Sequence, residues 1–235
     1  MYKKIDHNKM GRSNEGWLDS THHFSFAGYY NPNNINFGVL RVLNDDHVEA
    51  KEGFGPHPHQ NMEIVSYVID GELSHADSMG NEHTLTRGQA QYMSAGTGVW
   101  HSELNHADKD LHFLQVWFFP DKNNYKPNYG DFRFNWNDRI DKWLHMVSSF
   151  NSANKAPIQI HSDVNVYSTY LTSGKTLDFK INEGRMVYLT LIEGEADVNG
   201  VSLSGKDAME ITDEKEINIT SKENAHFFLV EVAKK

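Results

Sequence analysis

The 235-residue chain carries 22 Lys and Arg against 32 Asp and Glu, a formal net charge of −10, with no basic run longer than Lys3-Lys4. That balance argues against sequence-independent adhesion to nucleic acid or to anionic membranes, since both need clustered cations. The absence of cysteine excludes disulfides, thiolate nucleophiles, zinc fingers and iron–sulfur clusters, whereas 14 histidines raise the prospect of a nitrogen and oxygen metal site.

The opening Met1-Tyr2-Lys3-Lys4-Ile5-Asp6-His7-Asn8 leads into polar residues rather than an apolar signal segment, and Phe113 to Phe119 is too short to span a bilayer. The expectation is a cytoplasmic protein. Strand signals dominate: β-branched and aromatic runs at Phe37 to Leu43, Glu63 to Ile69, Leu111 to Phe119, Val187 to Ile192 and Ala225 to Val232 are separated by Gly, Asn and Asp turns. An all-β sandwich or barrel follows. Helical periodicity is confined to Asn137 to Val147, where Ile140, Trp143, Leu144 and Val147 recur at helical intervals.

That stretch lies in a polar segment from Pro120 to Pro157, so the chain reads as a domain over 1–120, a connection with a short helix over 121–150 and a second domain over 151–235. The two halves repeat. Val68-Ile69-Asp70-Gly71-Glu72 resembles Leu191-Ile192-Glu193-Gly194-Glu195, and each is followed by a turn and a second glycine, Gly88 and Gly205.

Chemistry concentrates in two short segments. In Gly55-Pro56-His57-Pro58-His59-Gln60-Asn61-Met62-Glu63, strand alternation points His57 and His59 the same way, two rises of roughly 3.3 Å apart. In Gly96-Thr97-Gly98-Val99-Trp100-His101-Ser102-Glu103, His101 and Glu103 likewise share a face. On facing strands the two pairs supply three imidazoles and a carboxylate, with room left for water, dioxygen or substrate. Glu63 is the rival carboxylate. It reaches the site only across a bend, so spacing favours Glu103 and leaves Glu63 to orient a ligand imidazole.

These segments, with Ser20-Thr21-His22-His23-Phe24-Ser25-Phe26 and Asp77-Ser78-Met79-Gly80-Asn81, resemble bacterial members of the pirin family within the cupin superfamily. The resemblance covers about the first 120 residues well and the remainder weakly. It implies a bicupin of two small, jelly-roll-like β-barrels, with one divalent transition metal per chain held by His57, His59, His101 and Glu103. Iron is the first candidate, with copper, nickel, manganese and zinc as alternatives. Aligning the repeat sets Lys180, Asn182, Asn218 and Thr220 against these four residues, none reproducing the ligand set, so the second barrel is expected to hold no metal.

The activity implied by the resemblance is cleavage of the 2,3-bond of a flavonol such as quercetin by dioxygen, with release of carbon monoxide and with Glu103 as general base. Phe24, Phe26, Tyr29, Met93, Phe113 and Trp117 are candidate pocket walls, His22 and His23 candidate border residues. His75, His83, His106 and His112 read as structural, His112 with the option of facing inward. Two alternatives stand beside the enzyme: a redox-responsive iron protein that regulates through a protein partner, and a zinc-dependent isomerase or hydrolase.

Overall fold

Alternating apolar residues and turn-forming Gly, Asn and Asp build strands almost throughout the computed structural model, which describes residues 1–234. In chain order they are β1 Tyr2–Ile5, β2 Gly11–Asn14, β3 Leu18–His22, β4 Leu40–Val48, β5 Gly53–His59, β6 Glu63–Asp70, β7 Glu72–Asp77, β8 Glu82–Thr86, β9 Ala90–Ser94, β10 Val99–Leu104 and β11 Leu111–Phe118. There follow β12 Asn128–Phe132, β13 Leu144–Ser149, β14 Ile158–Ile160, β15 Val164–Leu171, β16 Thr176–Lys180, β17 Arg185–Glu193, β18 Glu195–Val198, β19 Val201–Ser204, β20 Ala208–Ile211, β21 Glu216–Ser221 and β22 Ala225–Ala233. No helix among the described residues is long and apolar enough to cross a membrane.

The chain divides into two compact units: residues 11–134 with 158–162, and residues 1–10 with 135–157 and 163–234. The first ten residues, grouped in sequence with the N-terminal domain, lie in the C-terminal unit, where β1 pairs antiparallel with β20. Each unit is a pair of facing sheets. The N-terminal unit has the order β9-β6-β11-β4 in one sheet and β5-β10-β7-β8 in the other; the C-terminal unit has β20-β17-β22-β15 and β16-β21-β18-β19. Strand for strand these orders match, so the short sequence repeat marks a duplicated all-β, bicupin architecture. Gly71 and Gly194 occupy equivalent turns, between β6 and β7 and between β17 and β18, with φ of +81° and +90°. A Cβ at either position would run into backbone, which is why glycine stands at both.

The helical reading of Asn137 to Val147 is corrected. A single 3-10 turn, Trp136–Arg139, starts where the Asn135 side chain accepts the Asn137 N–H at 3.1 Å. Ile140 then bridges to Tyr170, Asp141 adopts a left-handed φ of 55°, and the chain continues as the strand β13. The apolar residues at helical spacing pack instead as strand and loop, Trp143 against the core of the C-terminal unit and Val147 fully buried.

Candidate metal centre

The site is assembled by pairing β5 with β10, which sets His101 directly opposite His57, while His59 stands opposite Val99. Pro56 and Pro58 keep β5 extended, regular alternation along β10 puts His101 and Glu103 on one face, and the register shift opposite them is an extra residue in β5 between Phe54 and His57. The three imidazoles meet: ring centroids are 4.5 Å apart for His57 and His101, 4.8 Å for His57 and His59, and 4.9 Å for His59 and His101. Their candidate ligand nitrogens all lie within 4.8 Å of one another.

The donor set fits a metal ion. His57 Nδ1 donates to the Gly55 carbonyl at 2.8 Å, which fixes the tautomer and leaves the Nε2 lone pair available. Both ring nitrogens of the buried His101 lack a hydrogen-bond partner, a costly arrangement for an imidazole with nothing to bind. Burial, and then the neighbouring imidazoles, push His59 down to about 4 and His101 down to about 3. At neutral pH both are uncharged, the form that ligates.

Glu103 stands apart from this cluster of three. Its buried carboxylate faces the same cavity, and Oε1 accepts from Ser66 Oγ at 2.6 Å and Gln91 Nε2 at 2.9 Å, while Oε2 accepts from Gln115 Nε2. These donors belong to one polar row crossing five strands: His22, Asn44, Gln115, Ser66 and Gln91 are successive cross-strand partners on β3, β4, β11, β6 and β9. Sequence reading missed Ser66, Gln91 and Gln115. The available signal was a lone polar residue inside an otherwise apolar buried strand, as at Ser66 in β6 and Gln115 in β11.

Glu63 is buried and directed elsewhere, accepting from Ser94 Oγ at 2.7 Å and the His161 N–H at 3.2 Å. Burial pushes its carboxyl up to about 7.

The cavity in front of the imidazoles holds about 370 Å³ between the two sheets of the N-terminal unit. Phe26 and Trp117 line it as expected, with Trp17, Leu18 and Phe54; the indole of Trp117 stands edge-on to His59 at 4.8 Å. Phe24, Met93 and Phe113 are buried core instead, and Tyr29 covers Gly11. His22 borders the cavity, hydrogen-bonded to Asn44 and Ser13 at 2.9 Å each, whereas His23 is buried outside its lining. Asp46, also on the lining, is pushed up to about 7 by burial. His112 lies opposite in parity to Gln115 and Trp117 on β11, and its partner is Asp45, so it does not face the cavity.

In the C-terminal unit the repeat alignment shifts by one residue. Lys180, Asn182, Asn218 and Thr220 are exposed. Counting from the Gly71 and Gly194 turns along the paired strands, the inward positions matching His57, His59, His101 and Glu103 are Phe179, Ile181, Ile217 and Ile219, with Phe179 opposite Ile217. All four belong to that unit's hydrophobic core.

Two duplicated all-β units, one with three imidazoles converging beside a cavity, define a cupin-type protein with a candidate metal site. The pirin family matches residues 5–118 and a quercetinase C-terminal cupin domain matches residues 146–232, so the chain belongs to the pirin family. It is 39% identical over 96% of its length to a quercetin 2,3-dioxygenase of Escherichia coli and 40% identical over 96% to a pirin-like protein of Caulobacter vibrioides, covering 96% and 97% of those proteins. Among solved structures it resembles YhhW from Escherichia coli, with a TM-score of 0.93 at 37% identity over 100% of this chain and 99% of that one. It also resembles the nickel(II) complex of that bacterial pirin, with a TM-score of 0.92 at 36% identity over the full length of both.

Proposed function

We propose that the N-terminal unit is a metal-dependent dioxygenase that cleaves the 2,3-bond of a flavonol such as quercetin, with His57, His59, His101 and Glu103 as metal ligands and Glu103 also as base. The observation that carries this reading is the convergence of the His57, His59 and His101 imidazoles beside a cavity that His57, His59 and Glu103 line together with Trp17, Phe26, Phe54 and Trp117. At about 370 Å³ it falls in the usual range for a drug-sized ligand. The aromatic faces of Trp17, Phe26, Phe54 and Trp117 suit a planar polyphenol and exclude water from it.

When bound, a divalent transition metal supplies Lewis acidity toward the substrate 3-oxygen and a redox partner for dioxygen. The proton chemistry belongs to the chain. Glu103 Oε1 takes the 3-hydroxyl proton, and Ser66 can follow, because its hydroxyl has a second acceptor in Gln115 Oε1 at 3.2 Å. Turning that hydrogen from Glu103 to Gln115 lets Ser66 Oγ accept from the newly formed Glu103 O–H. Gln91 and Gln115 hold the carboxylate in place through both states, so little reorganisation accompanies the transfer. The remaining balance is closed by dioxygen: flavonol and one O₂ give carbon monoxide and a depside acid, and the 3-hydroxyl proton held by Glu103 returns to that product's carboxyl group or leaves to water when the carboxyl ionises.

The test is anaerobic reconstitution with iron, copper, nickel, manganese or zinc in turn, followed by quercetin and oxygen. Matched dioxygen uptake and carbon monoxide release are expected with a redox-active metal. A fully loaded protein that consumes no dioxygen with any flavonol overturns the reading in favour of a regulator with a protein partner, and turnover without dioxygen on zinc overturns it in favour of an isomerase or hydrolase.

A further inference from the structure

The face of the β11-β4 sheet turned away from the cavity carries a second histidine pair. The register sets His47 on β4 directly opposite His112 on β11, and the rings stack with centroids 3.9 Å apart and planes 19° from parallel. Asp45 lies two residues before His47 and so on the same face of β4. Its Oδ1 is 2.8 Å from His112 Nε2 and 3.3 Å from His47 Nε2. One carboxylate oxygen and two imidazole nitrogens thus converge within 4.8 Å, from residues on two adjacent strands of a rigid sheet.

We propose that Asp45, His47 and His112 form a second binding site, for a divalent cation of the zinc, nickel or copper class. The donor set of two imidazoles and one carboxylate suits that class and is too poor in oxygen for calcium or magnesium. Both nitrogens address the same oxygen, so a cation seated there contacts all three ligand atoms at once. Asp45 is almost fully buried at 1% exposure, His112 is partly buried and the side chain of His47 is 39% exposed, which leaves one side of the site open to water as the remaining ligand. Exposed Asp19, the cross-strand partner of His47, adds negative charge beside the opening.

This site is independent of the flavonol reading and adds to the single metal per chain expected from sequence. Its opening at His47 makes it the more exchangeable of the two. By strand pairing the matching positions of the C-terminal unit are Ser168, Tyr170 and His226, which offer one imidazole, and that unit's cluster of Asp6, His7 and Asp207 already holds Lys4 Nζ 2.9 Å from Asp207.

Equilibrium dialysis against zinc(II) alone, and then nickel(II) alone, tests the proposal on the full chain. Wild type is expected to bind two equivalents, and His47→Gln to weaken one of them at least about tenfold while leaving the other unchanged. His57→Ala should show the converse, which separates this site from the candidate active centre. Because His112 is more buried than His47, the exposed-site variant His47→Gln is the primary one, and crystals soaked in zinc provide a second reading through anomalous scattering between His47 and His112. A single equivalent abolished by His57→Ala, a second equivalent unaffected by His47→Gln, or no anomalous peak at the pair overturns the proposal.

Discussion

The two units share strand order and turn glycines, yet where one turns His57, His59, His101 and Glu103 inward the other turns Phe179, Ile181, Ile217 and Ile219. One architecture therefore supports opposite interiors. In the C-terminal unit the inward face is used for burial, and the apolar residues contribute stability in proportion to the area they remove from water. In the N-terminal unit the same positions carry imidazoles whose burial costs free energy unless they are occupied by a ligand. A duplicated fold separates the two tasks, so that one half is free to be stable while the other carries the candidate metal site.

The comparison breaks most sharply at His101. Replacing it with Ala is expected to lower metal affinity at the N-terminal cavity more than about 100-fold, beyond the range typical for outer-shell partners, and to abolish flavonol turnover. Far-UV circular dichroism should be unchanged. Retained loading by elemental analysis, with His47 also replaced to silence the second pair, would show that the three imidazoles are not the ligand set.

At the matching position of the other unit, Ile217→Ala should do the reverse. Ile217 is fully buried, so truncation is expected to cost about 3 kcal/mol through lost burial and a cavity, read as a shift in the denaturant midpoint. Metal loading and turnover per folded molecule should not move. A loss of metal on this substitution would mean that the two interiors are not independent.

The smallest effect is expected at Glu63, whose counterpart before the Gly194 turn is Met186. The folded state holds a proton on Glu63 up to about pH 7, whereas the unfolded chain releases it near the ordinary carboxylate value. Between those values the native state binds more protons, so this group's contribution is fully present below the unfolded pKa and is lost as pH rises through 7. Glu63→Gln should flatten that decline, worth on the order of 2 kcal/mol, in unfolding curves recorded from pH 4 to 8. Parallel profiles for variant and wild type would remove the assignment.

Much of the site was legible because proximity along a strand reduces to parity. His57 with His59, and His101 with Glu103, could be placed on common faces from spacing alone. The strands at Glu63 to Ile69, Leu111 to Phe119 and Ala225 to Val232 were equally plain, being long, apolar and bounded by turns. Parity failed where an alignment slipped: one residue separates exposed Asn218 from buried Ile217, and a single-residue shift exchanges the two faces of a strand. Periodicity failed at Ile140 to Val147, where helical spacing of apolar residues was absorbed by a 3-10 turn, a left-handed Asp141 and a strand.

The sequence by itself determined an acidic, cysteine-free, all-β chain with a duplicated unit and its histidine chemistry in the first half, because composition, turn residues and short-range spacing are local properties. Only the tertiary structure decided that Ser66, Gln91 and Gln115 hold Glu103, and that His47 meets His112 over Asp45. Those contacts join residues far apart in the chain through cross-strand register. Register is set by the packing of the whole sheet, which no single strand encodes.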